Sequence, residues 1–177
     1  MHARSRPFRL RAAGGFSLVE VLIVLLVLMI AGALAVPMIG QTDDAQLRSA
    51  ARLLAADLDF ARVGSITHSD APRVVVFDTA SEEYHIATEA DPGTPLTDPV
   101  TKQDYITRFG AGRAAVIGDV GIESHDLDGD DQLGFGIYGQ LDQGDPATIT
   151  LATDTRTVTV TVDPVSGEAT IGNLTSR

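Results

Sequence analysis

A single acid, Glu20, stands at the start of an otherwise apolar stretch near the beginning of the chain. Nineteen uncharged residues, 21 to 39, follow it, and twelve of them are Leu, Ile or Val. As a helix, nineteen residues extend about 28 Å, close to the roughly 30 Å thickness of a bilayer's hydrocarbon core. Their favourable insertion outweighs a penalty of about 3 kcal/mol for one acid. The pattern predicts a transmembrane helix over residues 16–40, with a kink at Pro37.

The carboxylate of Glu20 itself needs a physical explanation. An ionised carboxylate in hydrocarbon costs several kcal/mol unless it has a partner, so an acid inside a membrane segment indicates a function. A side chain at a helix end can also reach the polar membrane surface, which requires no function. The residues of the segment alone leave both interpretations open.

Charge is distributed very unevenly along the chain. Four arginines precede the apolar stretch without an acid among them, whereas residues after Gly15 include 9 basic and 24 acidic side chains, a net charge of 9 − 24 = −15. Positive charge stays on the cytoplasmic side of a membrane, so the N-terminus is expected inside and the acidic body outside. The acidic body argues against nucleic acid as its ligand. The chain has no cysteine, so packing must supply its stability.

The segment after the apolar stretch predicts an amphipathic helix over residues 41–68. Its apolar positions recur every three or four residues: Leu47, Ala50, Leu54, Leu58, Ala61 and Ser65, widened by Leu53 and Phe60. Spacing favours two exposed ion pairs, Asp44 with Arg48 and Asp59 with Arg62. This helix is expected to continue the transmembrane helix.

Residues 69–177 predict a β-rich domain, which makes the chain α+β. A hairpin is expected from residues 74–77 and 84–87, and further strands from residues 116–123, 134–141, 147–152, 156–163 and 168–171. In the strand at 156–163, valines alternate with threonines, so one face is apolar. Residues 89–102 have the composition of a loop.

The N-terminal motif resembles the class III signal of type IV pilins and type II secretion pseudopilins. It consists of a basic leader ending in Gly14-Gly15, then Phe16-Ser17-Leu18-Val19-Glu20, then the apolar helix. The resemblance implies that residues 1–15 are a leader, which a membrane prepilin peptidase cuts between Gly15 and Phe16 before methylating the amine of Phe16. It also gives Glu20 a partner, the free terminal amine of a neighbouring subunit.

The same region also fits an ordinary secretory signal peptide, which would be cleaved at a different position. Ala33-Leu34-Ala35 fits a small-x-small cleavage site, with residues 16–30 as the apolar core. Cleavage there would release a protein that begins at Val36.

Further patterns resemble the H-type minor pseudopilin and FimT-type pilin domain. They are residues 51–62, residues 73–77 with Tyr84, and the closing Val-x-Val-Asp-Pro-Val-Ser-Gly-Glu at 160–168. The similarity covers nearly the whole chain from Gly14, although residues 89–115 match no pattern. It implies a type IV pilin-like fold, in which the long N-terminal helix packs on an antiparallel β-sheet head.

The same resemblance implies a structural role in protein export. The chain would be a single-pass inner-membrane protein with a periplasmic head, processed by prepilin peptidase and incorporated into a type II secretion pseudopilus. Its partners would be other pseudopilins or pilins, membrane lipid and secreted cargo. No catalytic constellation with workable spacing is present, so no enzyme activity is expected.

Two alternatives remain from the sequence. A minor pilin of a type IV pilus shares the same signal, but its DNA-uptake form needs clustered basic residues, and this chain has a single lysine, Lys102. A calcium-binding module is the other, because Asp126, Asp128 and Asp130 resemble the start of a calcium loop. That match then fails, since Asp131 and Ile137 replace the expected Gly and Glu. No cofactor is therefore predicted, and a calcium site of different construction stays open as the alternative.

Overall fold

The computed structural model describes residues 17–177, apart from the side chains of residues 31–42. One helix, α1 (Leu18–Thr67), precedes nine strands. By its contacts the chain divides into residues 1–39 and residues 40–177. The second unit, called the head below, contains the last part of α1 and all nine strands.

The strands form two antiparallel sheets. In the first sheet the order is β3 (Ile106–Arg108), β2 (Glu83–Thr88), β1 (Arg73–Asp78) and β5 (Gln132–Phe135). In the second the order is β4 (Gly121–Asp126), β6 (Ala147–Ala152), β7 (Arg156–Val162) and β8 (Ala169–Ile171), and β9 (Thr175–Ser176) also pairs with β7. A helix followed by antiparallel sheets confirms the predicted α+β class.

The predicted apolar stripe of α1 forms one side of the head's core. All six of its predicted positions from Leu47 to Ser65 are fully buried. Its apolar members belong to one hydrophobic cluster with residues of both sheets, among them Ile86 of the first and Ile149 of the second. Leu53 is partly buried against this cluster, but Phe60 remains 41% exposed, so the stripe is narrower than predicted.

The hairpin and strands β6 and β7 match the prediction closely, whereas β9 was not predicted. β1 and β2 pair from Arg73–Thr88 to Asp78–Glu83, and β6 occupies the predicted residues 147–152. In β7 the valines are buried and the threonines are partly exposed, as the alternation predicts. Each buried valine of β7 pairs with an apolar residue of β6, for example Val160 with Ile149.

Two predicted strands are displaced. The strand expected at 116–123 begins only at Gly121, because residues 114–117 form a turn and Gly118 has a left-handed φ of 91°. The strand expected at 134–141 lies instead at 132–135, and a turn follows in which Gly139 has a φ of 83°. Since a left-handed residue interrupts an extended strand, both predictions were wrong at these positions.

Residues 89–115 contain a strand that the sequence did not indicate. β3 pairs with β2 from Glu83–Arg108 to His85–Ile106. Tyr105, Thr107 and Phe109 are buried in this segment. Two of these three side chains carry hydroxyl groups, so the inward-facing residues do not form an apolar alternation.

Within the described residues, no helix is at once long enough and apolar enough to cross a bilayer. The predicted membrane segment, residues 16–40, includes positions outside that description, and it stays a prediction. Pro37 lies within α1, but its side chain belongs to those not described, so the predicted kink also stays a prediction.

Candidate functional site

The first turn of α1 contains Glu20, the residue predicted to act in subunit assembly. The helix begins with a hydrogen bond from the Val21 amide to the Ser17 carbonyl, 3.1 Å long. Glu20 is exposed there. Gly15 and Phe16, the predicted cleavage and methylation sites, lie outside the described residues.

The surface around Glu20 is apolar on every side of the helix. From Leu18 to Ile30, all twelve other residues are large hydrophobic side chains, and their exposed fractions range from 47% to 77%. A helix that is apolar all round is stable only when lipid or other apolar segments cover it. This stretch, called the apolar segment below, therefore needs a cover that the described part of the chain does not give it.

The carboxylate of Glu20 has no ion-pair partner among the side chains described. Its position in the first turn lets the helix dipole stabilise a negative charge by about 0.3–1 kcal/mol. That gain is smaller than the several kcal/mol needed to bury a carboxylate in apolar surroundings. Once the apolar segment is covered, the Glu20 carboxylate must be paired with a cation, hydrogen-bonded or protonated.

A second acid of α1, Asp57, is buried in the head. It is 2% exposed and accepts five hydrogen bonds. Oδ2 receives the hydroxyl of Tyr84 at 2.8 Å, that of Thr107 at 3.2 Å and Nη1 of Arg113 at 3.2 Å. Oδ1 receives the hydroxyl of Tyr105 at 2.9 Å and Nη2 of Arg113 at 3.2 Å. These five residues are called the Asp57 cluster.

Aromatic contacts surround the same group. The Tyr105 ring stacks on Phe60, with centroids 5.2 Å apart and an 8° angle between the planes. The guanidinium carbon of Arg113 lies 4.2 Å from the centroid of the Tyr105 ring, a cation–π distance. Thus Phe60, which is outside the core, helps to hold Tyr105 against Asp57.

The electrostatics of the Asp57 cluster keep both tyrosines neutral. Burial and the nearby charge of Asp57 raise the pKa of Tyr105 to about 12. The same two causes raise the pKa of Tyr84 well above its usual value. For Arg113, burial alone would lower the pKa, but the charge of Asp57 and the Tyr105 hydroxyl outweigh it, and the pKa is raised.

The arrangement of the Asp57 cluster is structural rather than catalytic. Both oxygens of Asp57 are occupied by donors from the protein, so neither is free to accept a proton from a substrate. The donors come from β2, β3 and the adjoining loops, and they connect these segments to α1. The sequence offered one signal for this role: Asp57 lies three residues after Leu54 and four before Ala61, on the predicted apolar stripe.

The structure does not assemble the calcium candidates into a metal site. Asp126 ends β4, Asp128 has a left-handed φ of 62°, and Asp130 accepts a hydrogen bond from the Gln132 amide. The neighbouring Asp131 contacts His125 at 2.8 Å. Within residues 17–177, as far as their side chains are described, no three His, Cys, Asp or Glu residues form a group that could hold a metal ion.

Two solved structures of one pilin show partial similarity to this chain. Two crystal structures of the type IV minor pilin FimU from Pseudomonas aeruginosa strain PAO1 superpose with a TM-score of 0.49 at 16% identity, covering 72% of this chain. The matched region covers 93% of one FimU chain and 88% of the other. No family model matches the sequence. No curated protein sequence matches it either.

Replacing Asp57 with Asn should destabilise the head strongly. The substitution removes the negative partner of Arg113 and turns an amide group toward hydroxyl donors, which we expect to cost about 3 kcal/mol of unfolding free energy. Asp59 is the matched control, because it pairs with Arg62 on the surface at 3.2 Å. Asp59→Asn should cost less than about 1 kcal/mol. Denaturant unfolding of the full chain in mild detergent measures both, and equal losses would contradict a supporting role for Asp57.

Alkaline pH should lower the unfolding free energy of the head, because Tyr105 then loses its proton. Its pKa is raised in the folded chain, to about 12, so the folded state holds this proton more tightly than the unfolded state. The resulting stability is complete below about pH 10, the usual tyrosine pKa, and is lost as pH rises toward about 12. Unfolding free energies measured from pH 9 to 11.5 should therefore fall, and less steeply in Tyr105→Phe. Equal slopes in the unaltered chain and in Tyr105→Phe would contradict this contribution of Tyr105.

Proposed function

We propose that this chain is a membrane-anchored structural subunit of a type IV pilus-like filament, without enzyme activity of its own. The observation that carries the proposal is the apolar segment, which contains one carboxylate that lacks an ion-pair partner among the described side chains. Insertion among the helices of neighbouring subunits would cover the apolar side chains. The free amine of a neighbour's Phe16, exposed by cleavage after Gly15, would supply the cation for Glu20.

Such an ion pair would mainly fix the axial position of one subunit relative to its neighbour. An ammonium and a carboxylate about 4 Å apart attract strongly in apolar surroundings, but loss of hydration cancels much of the gain. A misplaced subunit would leave both charges buried and unpaired, which costs several kcal/mol. The pair would therefore set the axial position of each subunit more than it would strengthen the filament.

Within this class we propose a minor pseudopilin of type II secretion. The support is the set of patterns shared with the H-type domain, including residues 51–62 and the closing motif at 160–168. In this proposal the N-terminus is cytoplasmic, the helix is held in the inner membrane, and the head lies in the periplasm, where it meets other pseudopilins and secreted cargo. The acidic character of the body supports a protein partner over nucleic acid.

Substituting Glu20→Val should separate processing from assembly. Prepilin peptidase cleavage should continue, while recovery of the chain with its partner pseudopilins should fall about tenfold or more, since tenfold corresponds to about 1.4 kcal/mol. Co-purification from membranes and immunoblotting of the mature chain measure the two steps.

Two control variants make the result specific. Glu20→Asp keeps the charge and should retain most of the co-assembly. Glu89→Val removes an exposed acid of the head and should assemble normally. If Glu20→Val is processed and co-assembles as well as the unaltered chain, the proposed pairing is wrong. Co-assembly with pilus subunits alone would instead contradict the assignment to secretion.

A further inference from the structure

Two arginines of α1 line a small groove in the head. Arg48 and Arg52 face the C-terminal segment across a cavity of about 270 Å³, whose apolar lining includes Val158 and Leu174. Asn173 adds an amide group to its rim. We call this the arginine groove.

Neither arginine has a carboxylate within ion-pair distance among the described side chains. The sequence predicted an ion pair between Asp44 and Arg48, but Asp44 instead lies 3.4 Å from Nε of Arg156. Two like charges four residues apart on a helix repel each other. On a body where acids outnumber bases 24 to 9, these two adjacent cations form a local positive patch.

A recess with the opposite charge lies elsewhere on the head. Its volume is about 400 Å³, and it shares no lining residue with the arginine groove. It is lined by five carboxylates: Asp43, Glu82, Asp119, Glu123 and Asp154. One cation, Arg177, is present, and it contacts Glu123 at 2.9 Å. We call this the acidic recess.

The two surfaces lie on different sides of α1. Asp43 and Gln46 line the acidic recess, whereas Arg48 and Arg52 line the arginine groove. At 100° per residue, the mean directions of these two pairs differ by roughly 170° around the helix axis. A single molecule therefore cannot bring its own groove and recess together.

We propose that a second copy of this chain docks head to tail, with carboxylates of its acidic recess entering the arginine groove of the first. Charge complementarity of the two surfaces carries this inference, and it rests on the proposed function because it names a partner and a contact for the filament subunit. The contact joins two different surfaces, so it is head to tail rather than symmetric. The overall negative charges repel weakly, because salt at about 0.15 M screens charges beyond roughly 8 Å.

Cysteine cross-linking tests the contact directly, because the natural chain has no cysteine. Asn173→Cys is placed beside the arginine groove of one tagged full-length copy. Ser124→Cys, an exposed position next to Glu123, is placed in a second copy with a different tag. Mild oxidation in native membranes should give a disulfide-linked product that carries both tags. If the two cysteine variants, with no other substitution, give no such product, the inference is overturned.

Charge reversal identifies the side chains responsible. Arg48→Glu with Arg52→Glu should reduce the cross-linked fraction about tenfold or more. Lys102→Glu with Arg108→Glu changes the net charge by the same amount at exposed positions outside both surfaces, and it should leave the fraction unchanged. An equal reduction by both pairs would contradict a local contact.

A charge swap between the two copies completes the test. Asp119→Lys with Asp154→Lys in the second copy should restore cross-linking to the copy that carries Arg48→Glu and Arg52→Glu. Failure to restore it, with both variants folded by circular dichroism, overturns the proposed contact. This outcome differs from failure of the proposed function, since in that case Glu20→Val would co-assemble normally whatever the cross-linking shows.

Discussion

The carboxylate of Asp57 is the interaction on which the head depends. The strands of the first sheet and the loop that contains Arg113 must be fixed to a helix whose buried face is largely Leu and Ala, and apolar contacts alone define such a position loosely. Five hydrogen bonds to Asp57 define it closely, because a buried donor left without its acceptor costs about 1–3 kcal/mol. Any displacement of β3 relative to α1 would leave several of these donors unpaired at once.

The two acids of α1 face the same physical problem and resolve it differently. Asp57 is surrounded by apolar residues but obtains its donors from the same chain. Glu20 also belongs to an apolar surface, yet none of the described side chains offers it a cation. Asp57 therefore stabilises the subunit, and we propose that Glu20 joins it to a second molecule. The head therefore satisfies its buried acid within one chain, whereas the exposed apolar part of α1 lacks a cation for Glu20 among the described side chains.

Much of the fold could be predicted because it depends on local periodicity. The positions from Leu47 to Ala61 are buried as predicted, and β6 and β7 lie where alternation placed them. The two strands were predicted at the wrong positions for a local reason, because the left-handed conformation of Gly118 and Gly139 was not evident from the sequence. The Asp57 cluster could not be predicted because its partners lie 27, 48, 50 and 56 residues away along the chain. The partner of Glu20 follows from the sequence only through the resemblance of the N-terminal motif to pilin signals.

The mass of the mature N-terminus tests the central claim most directly. The proposed pairing of Glu20 requires cleavage between Gly15 and Phe16, since only this cut places a free amine four residues before Glu20 in every subunit. Mass spectrometry of the protein purified from its native membrane should therefore find a chain that begins with N-methylated phenylalanine at Phe16. A mature chain that begins at Val36 would lack Glu20 and the apolar segment, and it would contradict a role as a filament subunit.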